Sequence, residues 1–116
     1  MICFLRILLL SNVFFTGVAM AVEDDVKRGG VVADIRCGPC HHLDSNYNKV
    51  GPGLLGIYGK KPSITGVPFD VWDDEALHLW LLNPRQVKAN TRMVLPAMSE
   101  RDRNDIIAWL KASIAN

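Results

Sequence analysis

The stretch Cys37-Gly38-Pro39-Cys40-His41 decides how the rest of this 116-residue chain is read. Two thiols three residues apart, with an imidazole directly after the second, form the C-x-x-C-H signature of covalent haem attachment. The thiols can add to the two vinyl groups of one haem, and the adjacent imidazole of His41 is delivered to the iron. Two other chemistries share part of this pattern. Cys-Gly-Pro-Cys is also the active-site sequence of thioredoxin-like dithiol proteins, which need a low-pKa cysteine at a helix N-terminus after a strand. Arg36 precedes the motif where that family has a tryptophan, and no strand can be drawn ahead of it. A closed zinc site needs four ligands, and only His42 and His78 remain to complete one. Haem attachment is the reading carried forward.

Upstream of the motif, residues 1–21 carry one charge, Arg6, then apolar runs at Ile7–Leu10 and Val13–Phe15, then Ala19-Met20-Ala21. This order of charge, apolar run and small-residue site is that of a secretory signal peptide, with Val22 as the mature N-terminus. Ser11 and Asn12 interrupt the apolar run, whereas a spanning helix needs about 20 predominantly apolar residues. Removing residues 1–21 takes away Arg6, which brings the formal net charge from +1 to neutral, and Cys3, leaving both remaining cysteines inside the motif. Residues 22–116 suffice for one small domain. A neutral chain with no basic stripe has no field to attract nucleic acid. A core this small calls for an added staple, and a cofactor is the natural one.

The expected fold class is all-α, with three main helices and long loops. The first helix is expected from Glu23 to Arg36, its first turn carrying Glu23, Asp24 and Asp25 at the positive end of the dipole. Val26, Gly29 or Gly30, and Ala33 form its apolar stripe. Its paired glycines cost up to about 1 kcal/mol each relative to alanine, so a closely approaching helix is expected to compensate. Residues 43–71 are rich in Gly, Pro, Asn and Ser and read as loops, with one helical turn around Leu54–Tyr58. The second helix is expected from Asp73 to Asn83, capped by Asp73 or Asp74 and stopped by Pro84, with Ala76, Leu77, Trp80 and Leu81 buried. His78 is expected on its solvent side. The third runs from Ser99 to Ile114, opened by a Ser99/Asp102 capping box. Ile106, Ile107, Leu110 and Ile114 form its stripe, with Trp109 alongside.

An iron held by His41 needs a sixth ligand, and outside the leader the chain has two methionines, Met93 and Met98. His42 adjoins the proximal ligand and cannot reach the opposite face. A Met/His pair favours reduced iron and suits electron transfer.

With these residues in place, the sequence resembles the class I cytochromes c, the small soluble monohaem type of bacteria and mitochondria. The resemblance covers nearly all of residues 22–116. It rests on Gly51-Pro52-Gly53-Leu54-Leu55-Gly56 after the motif, then Trp72, Asn83-Pro84 and Thr91-Arg92-Met93 in order. It implies that the Pro52 carbonyl accepts a hydrogen bond from His41, that Trp72 covers a haem propionate and that Met93, rather than Met98, is the axial sulfur. It also implies that Trp80 stands where the family packs a tyrosine by that methionine, and that Gly29 crosses tightly against Trp109. Lys60 replaces the arginine that contacts a propionate, a point charge in place of a planar fork. The loop between Lys61 and Trp72 is shorter than in the mitochondrial form, and the strong lysine ring is missing. Lys49, Lys60, Lys61, Arg85, Lys88 and Arg92 could still border the haem edge, although a solvated face is the default for such charges.

The function implied is that of a periplasmic, monomeric, non-enzymatic electron carrier with one haem c, meeting redox proteins by small transient contacts. A haem subunit of a larger periplasmic oxidoreductase, such as one of sulfur oxidation, would share most of these motifs. A dithiol redox protein using Cys37 and Cys40 is the third class.

Overall fold

A computed structural model describes residues 17–115. Its elements are α1 (Gly17–Arg36), α2 (Asp74–Leu82), α3 (Pro84–Val87) and α4 (Glu100–Ala112), followed by a 3₁₀ turn at Ser113–Ala115. No strand occurs among the described residues, so the chain is all-α as expected.

Helix α1 already includes Gly17–Val22, ahead of Glu23. The sequence from Val18 to Val22 contains no breaker, so nothing local stops the helix from extending upstream. Glu23 instead pairs with Lys27 one turn on, at 3.3 Å. The boundary expected after Ala21 therefore falls inside α1, and residues 1–16 of the expected leader lie outside the described residues.

Helix α1 crosses α4 at its glycine pair. A Cβ on Gly29 would drive into the Asp105 carbonyl and come 2.9 Å from Trp109 Cβ, whereas one on Gly30 would meet only the Trp109 ring, at 3.1 Å. The close approach offsets the helix-weakening effect of the glycine pair. Beside the crossing, the Arg28 guanidinium bridges two carboxylates of α4, donating to Asp102 at 2.7 Å and to Asp105. Asp105 is only 4% exposed, so this fork keeps a buried charge paired.

The core joins Leu77 and Leu81 of α2 to Ile106, Ile107 and Leu110 of α4, with Met98 from the preceding loop. Val32, Leu54, Ile57, Trp72 and Trp109 pack around it. Both caps form as the sequence indicates: Asp73 accepts from Ala76 N–H, and Ser99 accepts from Asp102 N–H. Ala76, Leu77, Trp80 and Leu81 are the buried face of α2. His78 is half-buried rather than exposed. Pro84 does end α2, but it also occupies the first turn of α3, capped by the Asn83 side chain on Arg85 N–H. Ile114 departs from its expected stripe and is 48% exposed. The helix gives way to a 3₁₀ turn at Ser113, which rotates Ile114 off the buried face.

The long connection between α1 and α2 is tied down at intervals. In place of the expected helical turn around Leu54–Tyr58, two consecutive turns with Gly56 and Gly59 at positive φ put Ile57 N–H on Leu54 O and Lys60 N–H on Ile57 O. Gly59 N–H then bonds Trp72 O at 2.8 Å and Trp72 N–H bonds Lys60 O at 2.9 Å, closing the intervening loop at its base. Tyr58 donates to Asp74, which also accepts from Lys111 at 3.1 Å, so the loop, α2 and α4 meet at one carboxylate.

Gly29→Ala is expected to destabilise the protein by about 1–3 kcal/mol, the range for overpacking a tight contact. Gly30→Ala should cost clearly less, because only a ring edge must shift. Denaturant titration of both variants checks the order. Arg28 holds the Asp102 carboxyl below the ordinary aspartate range, chiefly through its hydrogen bond. A lowered carboxylate pKa contributes stability above the unfolded value of about 3.9, and that contribution is lost as pH falls through the folded value. Arg28→Met should therefore destabilise the protein at neutral pH, and its deficit should narrow in acid. A deficit unchanged by acid would contradict this assignment.

Candidate functional site

The motif residues are brought together by one extra turn at the end of α1. Cys40 N–H and His41 N–H both bond to Cys37 O, at 3.1 and 2.9 Å. Residues three and four positions apart in a helical turn share a face, so Cys37, Cys40 and His41 gather on one side. Cys37 is buried and Cys40 exposed, and both thiols are free. Burial pushes the Cys37 thiol up to about 11, against the smaller opposing effect of Arg36. A thioredoxin-type dithiol needs a cysteine shifted the other way. The strand that such a site follows is also absent among the described residues, and no group of three His, Cys, Asp or Glu side chains there is placed to hold a metal.

The segment 49–54 holds this turn in place. Gly51 N–H bonds Cys40 O at 2.8 Å, Leu54 N–H bonds His42 O at 2.8 Å, and the Lys49 ammonium donates to Gly38 O at 3.0 Å. His41 Nδ1 lies 2.6 Å from Pro52 O. A carbonyl can only accept, so Nδ1 carries the proton and Nε2 keeps its lone pair free for a metal. The ring lies so close to Gly51 that a Cβ there would collide with it, coming 2.8 Å from Nδ1.

A second cluster is built from α2 and the loop before α4. Trp80, buried at the α2 core face, donates its Nε1–H to Met93 Sδ at 3.2 Å. Thr91 Oγ1 accepts from Met93 N–H at 3.2 Å, shaping the backbone that presents the thioether. Trp72 meets Trp80 edge to face, with ring centroids 5.7 Å apart, and Phe69 lies 4.9 Å beyond Trp72. Met98 belongs elsewhere: it is 8% exposed, within the α2–α4 core.

The sequence candidates thus fall into two groups, Cys37, Cys40, His41 and Pro52 in one, and Trp72, Trp80 and Met93 in the other. Lys60 joins neither through its side chain. Its backbone pairs with Trp72, but its ammonium lies beside Gly56, in a cavity of about 350 Å³ bordered by Asp44, Asn46, Ser113 and Ile114. The contact of Lys49 with Gly38 was invisible in the sequence, because nothing in a lysine within a loop indicates which carbonyl it will reach.

The donor set suits a covalently held haem. Two thiols share a face with an imidazole whose tautomer is fixed, and a thioether sulfur keeps one lone pair after accepting from Trp80. The thiols could form the covalent links, and His41 Nε2 and Met93 Sδ are a borderline and a soft donor of the kind that a haem iron accepts.

No family model matches the chain. It is similar to the cytochrome c of Theileria annulata, 34% identical over 99 residues that cover 77% of this chain and 86% of the relative. Cytochrome c of Gibberella zeae is 34% identical over 100 residues, covering 77% and 94% respectively. That of Arabidopsis thaliana is 31% identical over 103 residues, covering 79% and 92%. With identity above 30% across more than two thirds of its length, the chain belongs to the cytochrome c family, and its helices and tied loops are the all-α cytochrome c fold.

Proposed function

We infer that this protein is a bacterial class I cytochrome c, a periplasmic carrier of single electrons on one haem c ligated by His41 and Met93. Family membership already makes it a haem electron-transfer protein. The observation that carries the finer reading is the pairing of two preset donors: His41, oriented by the Pro52 carbonyl at 2.6 Å, and Met93, oriented by the Trp80 indole at 3.2 Å.

When bound, the haem supplies an iron that cycles between ferric and ferrous states. Everything else is the work of the chain. Cys37 and Cys40 anchor the group through thioether links. Pro52 holds the His41 ring against rotation and fixes its tautomer, as an outer hydrogen bond to a metal-bound imidazole does. Trp80 positions the Met93 sulfur while leaving it a free lone pair, and a thioether ligand favours the reduced state. Trp72 covers the propionate side, an assignment that rests on the family resemblance and on its packing against Trp80. Lys60 is assigned the same role by the family resemblance alone, and its ammonium lies beside Gly56.

Residues 1–21 are read as the leader that takes the chain across the inner membrane, and residues 22–116 as the cytochrome domain. No helix among the described residues is long and apolar enough to cross a membrane. A monomer that meets redox proteins briefly, with no substrate chemistry of its own, fits this arrangement.

The absorption spectrum of the purified holoprotein tests the ligand assignment. Reduced haem c bands are expected, together with the sulfur-to-iron charge-transfer band in the ferric state. Met93→Ala should abolish that band. Met98→Ala should keep it while costing about 2–5 kcal/mol of stability, as for a methionine removed from a packed core. The reverse pattern would transfer the ligand role to Met98.

A further inference from the structure

We propose that the groove between α2 and the loop bearing Pro68 and Phe69 is a docking surface for a redox protein that presents a basic segment with an apolar side chain. The groove, about 190 Å³, is lined by Pro68, Phe69, Asp73, Glu75, Ala76 and Leu79. On α2, Glu75, Leu79 and Leu82 lie at steps of four and three residues and so form one outward stripe. Leu79 is 47% exposed and Leu82 53% exposed, on the face opposite the core. Apolar floor and acidic rim therefore occur together.

The charge of the rim is uncompensated. Asp74 is paired with Lys111. Asp73, Glu75 and nearby Asp70 have no basic partner within 4.0 Å among the described residues. Asp73 does accept the Ala76 N–H, which leaves its negative charge in place. Carboxylates beside exposed leucines favour a cationic, apolar partner and repel an anionic one, which speeds encounter and sets specificity.

A second observation connects the groove to redox function. Phe69, which forms part of its lining, touches Trp72; Trp72 meets Trp80 edge to face; and Trp80 bonds Met93 Sδ. A partner seated there is in unbroken contact with the sulfur assigned to the iron. This link to electron exchange rests on the Met93 ligand reading, whereas the docking itself does not.

Two metal complexes of phenanthroline serve as probes, since both are apolar trications. The redox-inert tris(phenanthroline)chromium(III) ion, added to the ferrous holoprotein, should broaden the NMR signals of Phe69, Ala76 and Leu79. In the cobalt(III) analogue's reaction, the ferrous protein gives up one electron and cobalt(III) becomes cobalt(II). Glu75→Lys should slow that oxidation by roughly tenfold, the scale of a rim charge acting on encounter, without slowing oxidation by anionic hexacyanoferrate(III). Leu79→Ser, at an exposed position that folding does not need, should weaken the chromium broadening. Broadening centred on Pro39 and Cys40, an unchanged cobalt rate in Glu75→Lys, or equal slowing of both oxidants would overturn the proposal. Groove broadening alongside a sulfur–iron band that survives Met93→Ala would remove the link to Met93 and leave the docking surface standing.

Discussion

Everything in this molecule is referred to the contact between α1 and α4 at Gly29. The two backbones approach until the Asp105 carbonyl and the Trp109 Cβ occupy the space that a side chain on α1 would fill. A contact of that kind tolerates almost no sliding, because a shift of one residue would bring Arg28 or Val31 into a gap that the glycine pair fills. It fixes α1 along its axis, and the turn Cys37–His41 is simply the continuation of that axis. The position of the residues proposed to attach the haem is thus set by a glycine two helical turns upstream. The Arg28 fork to Asp102 and Asp105 adds direction to the same contact, since a planar donor satisfies two carboxylates only at one rotation of the helices.

The opposite side of the site is built differently. Met93 comes from an extended loop with few backbone hydrogen bonds of its own, and it is located by side chains: Thr91 below it and Trp80 beside it. One donor is therefore held by a rigid helix end and a clasping segment, the other by an indole on α2. Because α2 and α4 share the core of Leu77, Leu81, Ile106, Ile107 and Leu110, both halves are anchored to α4. No hydrogen bond among the described residues joins the two halves directly, so their separation is governed by the helix packing between them.

Much of this was legible in the sequence where the controlling interaction is local. Helix α2 was readable because its period, its Asp73 cap and its proline stop all lie within a dozen residues. The same holds for the Ser99 cap of α4. The motif at Cys37–His41 was legible as chemistry, and the pairing of Gly29 with Trp109 through family resemblance. What failed was of other kinds. The start of α1 was misplaced because an acidic first turn is a preference, and preferences do not halt a helix that has no breaker before it. Pro84 was read as a terminator only, although the geometry that forbids it inside a helix suits it to the first turn of the next. Ile114 was misjudged because its direction depends on the last turn of α4, where a change of a few dihedral angles redirects a side chain.

The paired hydrogen bonds between Gly59, Lys60 and Trp72 have a consequence for how this protein can change over evolutionary time. They pinch the chain so that residues 61–71 form a closed excursion whose ends stay fixed whatever lies between them. Closing such an excursion depends on its length only logarithmically, so residues can be gained or lost there without moving Trp72 or the turns at 54–60. The shorter loop that the family resemblance implies here is what such a decoupling permits. Apart from Phe69, which packs on Trp72, the excursion is the part of the molecule where new surface can be written, or old surface erased, at little risk to the Trp72–Trp80–Met93 cluster.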